Sequence, residues 1–472
     1  MSSSAMKDSG PSRHFDDRMS DSDALMWNIE KDPMLRSTIT TVMVFEGPVP
    51  SEKLARTFER ASRTIPRLRQ RVRSNPMSLA PPRWEIDPNF DIHYHLRSAR
   101  VRGEGSLSDL LEMVSPMAMQ SFDRARPLWE ATVVDGLVGD MSAIVMKFHH
   151  SISDGVGGVE LMLELLDLEE DAPERPMPPA PVVHVLNQAE RFVDALQFET
   201  KRQAAMLKQA TSAGVDVIRG AAYDPAGAMI ASSELASSVA RLLRPESTPM
   251  SGIATHRSLS THLEVLTMPL DEAKAAGAAM GGTINDIFVA GIIRGMDLYH
   301  QSHGVDQEHL RMGMPVNVRG AASMNSGGNE WVPARFEVDV HHGSSGELVA
   351  HVHQRCAAAK DEPANSLVRP MSTLLNRLPT TVLTQVFGTM MKGLDFQASN
   401  VPGSPVRLYM GGVPITAVYP FGPLAGAGVN VTLLSYQNDL NIGVNIDPVA
   451  IPDVESLMES LRDAYDELLD IT

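Results

Sequence analysis

The chain has 472 residues, 43% of them hydrophobic and 21% charged, a globular composition with length enough for two or three domains and a large buried core. Its net charge of −17 argues against nucleic-acid binding, which rests on neutralising phosphates with Lys and Arg, and its single cysteine, Cys356, excludes an intrachain disulfide or a multi-thiolate zinc site. No run reaches the ~18–20 apolar residues a membrane span needs, and the N-terminus has no apolar signal core, so a cytoplasmic protein is expected.

Residues 1–18, rich in Ser, Asp and Gly, read as a flexible tail. From Ser51 onward, Leu54, Phe58, Ala61, Ile65, Leu68 and Val72 recur at steps of four and three and predict one apolar helix face, broken or restarted at Pro66. The same stretch carries Arg60, Arg63, Arg67 and Arg71. They form either the solvated back of a helix or an electropositive surface for a phosphate-bearing or anionic-lipid partner. Residues 131–150 predict a β-hairpin that turns through Val138, Gly139 and Asp140 and ends on His149 and His150. Val159, Met162, Leu163 and Leu166 then take helical spacing, so His150 is expected where a strand passes through a loop into a helix, with Asp154 and Gly155 making a tight turn in that loop.

The proline-rich run from Asp171 to Val183 reads as a semi-rigid connector, and helical patterns continue from it to about Leu243. A second α/β half opens with a strand near Thr261 and a helix over Asp271–Ala279. A further helix runs from Thr283 to about Tyr299, with Thr283 and Asp286 as its capping box. Strands are expected at MGMPVNV, ARFEVDV, VNVTLLSY and LNIGVNI, and a last helix over Val454–Asp470. The expected organisation is an N-terminal lobe over 19–170, a connector with crossing helices over 171–255, and a C-terminal lobe over 256–472.

Neighbouring strand residues point to opposite faces, so His149 and His150 are poorly placed to clamp one metal ion. Acid/base chemistry suits them better, because an imidazole with an ordinary pKa near 6.5 can take and return a proton at cytoplasmic pH. His341, His342, His351 and His353 scatter over strand and helix faces and read as surface residues. No metal site is expected.

HHSISDG, from His149 to Gly155, matches the His-His-x-x-x-Asp-Gly signature of acyl-CoA-dependent acyltransferases. It is accompanied by PLWE (Pro127–Glu130), Asn285 and Asp286 in TINDIFVAG, MPVNVRG ending beside Arg319, Gly328 with Asn329, SNVPGSP from Ser399 and YPFGPLAGAGVNVTLLSY from Tyr419. In this order the motifs resemble the bacterial wax ester synthase/diacylglycerol acyltransferase family over about Met19–Leu469. The resemblance implies an α/β fold of two chloramphenicol-acetyltransferase-like lobes with an interlobe channel. It also implies an O-acyltransferase that uses long-chain acyl-CoA as co-substrate, with no metal or prosthetic group. The acceptor would be diacylglycerol or a fatty alcohol, reached by peripheral contact with the inner membrane, a lipid droplet or a lipid inclusion.

The resemblance assigns His150 as general base, with His149 supporting its loop and Asp154, beside Gly155, bracing it through a pair with Arg319. Asn285 and Asn329 either donate to the thioester oxygen as it becomes an oxyanion or satisfy backbone groups at a helix start and a turn. Many family members carry Ser-Pro-x-Asp and later Pro-Met-His near the N-terminus, where this chain has Ser20, Asp21, Ser22, Asp23 and then Pro33, Met34, Leu35. Two other functions fit the same sequence: a catalytically weak lipid-binding or droplet-surface protein, and acyl transfer to a non-lipid hydroxyl or an amine.

Overall fold

The computed structural model describes residues 16–74, 80–223, 248–317, 331–341, 343–361 and 380–470. The N-terminal half opens with α1 (Asp21–Ile29), capped by the Ser20 hydroxyl, which accepts from the Asp23 amide at 3.1 Å, and continues into β1 (Thr38–Phe45). α2 (Ser51–Thr64) buries Leu54, Phe58 and Ala61, the face its spacing predicts. It ends before that spacing does. Pro66 excludes helical geometry from the preceding residue, so Ile65 is extended at φ −107°, ψ 100°, and the chain turns through Pro66–Leu68 into β2 (Gln70–Arg73). Val72 is therefore a strand residue, and β2 pairs antiparallel with β3 (Arg83–Ile86).

A short α3 (Ile92–His95), β4 (Leu96–Arg100) and α4 (Leu107–Met119) precede the expected hairpin. Its strands are β5 (Trp129–Asp135) and β6 (Ser142–His149), in register from Trp129 opposite Phe148 to Val134 opposite Ala143. Gly139 and Asp140 take positive φ, 76° and 58°, in its turn. α5 (His150–Leu165) follows β6 directly. Residues 172–187 have no regular secondary structure, in keeping with their prolines. α6 (Gln188–Tyr223) then docks back through Asp194, which pairs with Arg18 and, at 3.1 Å, with Arg83. Residues 16–18, expected as the end of a tail, are anchored here, the Trp84 amide donating to the Asp17 carbonyl at 2.8 Å, while residues 1–15 lie outside the described residues.

The second half comprises β7 (His262–Pro269), α7 (Leu270–Ala279), α8 (Ile284–Ser302), β8 (His309–Asn317), β9 (Trp331–Asp339), α9 (Ser345–Lys360) and α10 (Thr380–Lys392). β10 (Phe396–Val401), β11 (Tyr409–Met410), β12 (Val413–Phe421), β13 (Val429–Tyr436), β14 (Asp439–Ile446) and α11 (Val454–Leu469) complete it. The capping box at α8 forms as expected, with the Thr283 amide donating to Asp286 Oδ2 at 2.9 Å.

Among the described residues the strands make two six-stranded sheets, β11-β12-β1-β6-β5-β4 and β7-β14-β13-β10-β8-β9, besides the β2-β3 pair. β12 leaves the second half to pair antiparallel with β1, Phe421 opposite Thr40. A boundary at residue 256 therefore does not separate the sheets, because residues 409–421 complete the first one. The crossing strand lies so close to β14 that a Cβ on Gly443 would sit 1.9 Å from the Pro420 carbonyl oxygen. The first sheet packs Phe45, Trp129, Ile144 and Met146 against α2 on one face, and Val42, Val134 and Val145 against α4 on the other. In the second lobe α8 is the buried spine. α10 also reaches across the lobes: Leu383 packs with Leu25 and Ile29 of α1, and Lys392 pairs with Asp32 at 2.7 Å. No single described helix is long and apolar enough to cross a membrane.

Candidate active site

β6 lies between β1 and β5, so its last residues are held from both sides. The His149 amide donates to the Leu128 carbonyl at 3.0 Å and the His150 amide to the Ser37 carbonyl at 2.8 Å, which carries strand-like pairing up to the first residue of α5. His149 is the N-cap of that helix. Its Nδ1 accepts from the Ser151 amide at 3.1 Å and lies 2.7 Å from the Ser151 hydroxyl, satisfying donors that a helix start leaves open. This cap overturns the expected loop: SISDG is already helix, and no tight turn forms at Asp154 and Gly155. Because Nδ1 accepts, a neutral His149 carries its proton on Nε2.

His149 is buried against Trp27, edge to face with ring centroids 5.4 Å apart. Its Nε2 lies 2.9 Å from Glu30 Oε1, a contact lying off the ring N–H axis. The same Oε1 accepts from the Ser37 amide at 2.6 Å, and Oε2 is 3.5 Å from Arg124, whose guanidinium lies over the Trp27 ring at 4.1 Å. Burial opposes ionisation of Glu30, but the adjoining His149 ring, the Ser37 amide and Arg124 outweigh it and hold the carboxyl below its ordinary pKa. Sequence reasoning missed Trp27, Glu30 and Ser37. They belong to a different stretch of chain from HHSISDG, and no local periodicity links the two.

His150 is half-buried. Desolvation by the surrounding protein, the largest cause, pushes its pKa down from 6.5 to about 4. The ring is thus a neutral proton acceptor at ordinary pH. The backbone of Asp154 and Gly155 lies in the first turns of α5, whereas the Asp154 side chain, Arg319 and Asn329 lie outside the described residues. Asn285 is half-buried in the first turn of α8, its Oδ1 3.5 Å from Asn400 Nδ2 of β10, so the TINDIFVAG and SNVPGSP runs meet. Trp129 of PLWE is core: it stacks between Phe58 and His95 at 5.6 and 4.6 Å, and its Nε1 donates to the Leu68 carbonyl at 2.8 Å.

The chain matches the model of the wax ester synthase/diacylglycerol acyltransferase catalytic domain over residues 19–288 and that of the WS/DGAT C-terminal domain over residues 328–469. It belongs to the WS/DGAT family. A Mycobacterium tuberculosis protein named only as a candidate diacylglycerol O-acyltransferase is 31% identical over 98% of this chain and 94% of its own length. A second protein of that organism, with the same activity in its name, is 24% identical over 92% of this chain and 91% of its own. Among solved structures, the wax ester synthase/diacylglycerol acyltransferase of Marinobacter aquaeolei superposes with a TM-score of 0.61 at 20% identity, covering 96% of this chain and 98% of that one. The first condensation domain of the CDA synthetase superposes at 0.54 with 14% identity, over 98% and 97% of the two chains. The architecture is the two-lobed chloramphenicol-acetyltransferase type.

Within this acyltransferase the arginines after Ser51 do not form an open cationic face. Arg60 and Arg67 are buried: Arg60 pairs with Glu164 of α5, and Arg67 lies over the Trp84 ring at 4.6 Å while donating to the Asp16 carbonyl at 2.6 Å. Arg63 pairs with Glu59 at 2.7 Å, and Arg71 lies 3.7 Å from the buried Asp87. The expectation of an electropositive surface gives way for a physical reason. Arginine stems pack along the lobe while their heads find partners there: Glu164 for Arg60, Glu59 of the same helix for Arg63, Asp87 for Arg71, and the Trp84 ring with the Asp16 carbonyl for Arg67. In the histidine-rich patch, His341 pairs with Asp306 and His353 with Asp286, both at 2.9 Å, on separate elements, while His342 lies outside the described residues.

Proposed function

We propose that this WS/DGAT family member transfers a long-chain acyl group from acyl-CoA to the hydroxyl of diacylglycerol or of a fatty alcohol, giving triacylglycerol or wax ester. The observation that carries the reading is His150, a neutral, half-buried imidazole pinned at the junction of a central strand and a helix, in the family's motif. In this reading His150 takes the proton of the acceptor hydroxyl as its oxygen bonds to the thioester carbonyl carbon. The tetrahedral species then collapses, the carbon–sulfur bond breaks, and the imidazolium returns the proton to the leaving thiolate, releasing ester and free CoA. Asn285 is the candidate donor to the developing oxyanion, and Asp154 with Arg319 the candidate brace. The proton balance closes without a metal or prosthetic group. Both acceptors partition into lipid, so the reading includes peripheral contact with a membrane or lipid-droplet surface.

Purified protein given labelled palmitoyl-CoA with diacylglycerol or hexadecanol should yield labelled triacylglycerol or wax ester on thin-layer chromatography. His150→Ala should lower turnover about 100-fold or more with an unchanged circular-dichroism spectrum. Near-normal ester formation by the folded variant would remove His150 from the chemistry, and no ester from either acceptor with the wild-type protein would remove the function.

A further inference from the structure

Glu30 touches no reacting atom in the proposed chemistry, yet one of its oxygens meets both supports of His150. Oε1 accepts from the Ser37 amide at 2.6 Å, and the carbonyl of the same Ser37 accepts from the His150 amide at 2.8 Å. Oε1 also lies 2.9 Å from Nε2 of His149, the side chain that caps the helix His150 begins. We propose that Glu30 is a positioning residue for His150, acting on its main chain through Ser37 and on its helix cap through the tautomer of His149.

The carboxylate favours the His149 tautomer with a proton on Nε2, because an anion 2.9 Å away attracts an N–H and repels a lone pair. That tautomer leaves Nδ1 as the acceptor the Ser151 amide requires at 3.1 Å. With the proton on Nδ1 instead, two donors would face each other at the helix start and the cap would open. Loss of the carboxylate would also leave the Ser37 amide, in a residue 6% exposed, without its acceptor. Both effects shift the first residue of α5, and catalytic geometry tolerates little: a displacement of about 1 Å can cost about 100-fold in rate. Trp27 and Arg124 pack the outer side of the brace, Arg124 over the Trp27 ring and 3.5 Å from Glu30 Oε2, so the carboxylate is held from several directions.

The kinetic consequence rests on the acyl-transfer reading, and the test separates the two. Glu30→Ala and Glu30→Gln are compared with wild type for ester formation and for the state of His149. The amide oxygen of Gln can still accept from Ser37 and from His149. Glu30→Ala should lower kcat about 10- to 100-fold with the acyl-CoA KM changed less than about threefold, and Glu30→Gln should recover most of that loss. In protein carrying nitrogen-15 histidine, with the signal assigned through His149→Asn, His149 should show the Nε2–H tautomer in wild type and Glu30→Gln and lose it in Glu30→Ala. Wild-type kcat in Glu30→Ala, equal losses in both variants, or an unchanged His149 tautomer would overturn the proposal. If the wild-type protein forms no ester, the functional reading fails, and the tautomer measurement alone decides the role of Glu30.

Discussion

Burial holds the His150 ring neutral, and the sign of that effect has two measurable consequences. Its folded-state pKa, about 4, lies below the roughly 6.5 of an unfolded-chain histidine. The acid limb of the kcat/KM profile should therefore lie well below pH 6.5, near about 4. A limb at 6.5 would mean that His150 titrates as an open, solvated ring. For stability, the unfolded chain binds a proton at this site between pH 6.5 and about 4 that the folded chain refuses, so the contribution of His150 to stability falls as pH falls through that window. Melting temperatures of wild type and His150→Asn, compared at pH 7 and pH 5, should shift in favour of the variant at the lower pH.

At the scale of elements, the pairing of α8 with α11 depends on residues too small to be read as a helix contact in sequence. A Cβ on Gly291 would lie 2.0 Å from Cε1 of Tyr465, and one on Gly295 would lie 2.6 Å from Leu461 Cδ2. The Tyr465 hydroxyl completes the contact by donating to the Phe288 carbonyl at 3.0 Å. Gly291→Ala should force that ring aside and cost about 1–3 kcal/mol in chemical denaturation, where an ordinary exposed-helix glycine would gain from the same change. A neutral or stabilising result would show that the ring relaxes without loss. The same scale explains α5: the apolar spacing after Val159 marks a helix, but only the cap by His149 lets it start at His150.

For the whole molecule, the lobes are joined by an exchanged strand rather than by surface contact alone. β12 pairs with β1 of the first sheet while its end crosses over β14 of the second, where Gly443 makes room for the Pro420 carbonyl. The Tyr436 hydroxyl of β13 fastens the other end, donating to the Ile415 carbonyl at 3.0 Å and accepting from the Leu408 amide at 2.9 Å. Gly443→Val should push the strand off its crossing, cost about 3 kcal/mol or more, and expose the segment before β12 to tryptic cleavage after Arg407. Wild-type stability with no added cleavage at Arg407 would show that the crossing is not what joins the lobes.

The sequence by itself determined the family, the α/β class, the hairpin ending on His149 and His150, and the capping box of Thr283 with Asp286. Each of these is written in residues close together in the chain: alternating apolar residues, turn formers, a Thr-x-x-Asp cap and an ordered set of motifs. Only the tertiary structure decided that Glu30 and Trp27 hold His149, that residues 409–421 belong to the first sheet, and that Arg60 and Arg67 are buried while Arg60, Arg63 and Arg71 meet carboxylates. In each case the deciding partner comes from elsewhere in the chain: α1 for His149, β1 for β12, and Glu164 of α5 for Arg60. Spacing reports which side of an element is apolar, whereas such pairings depend on which elements the fold brings together, and that information is not local.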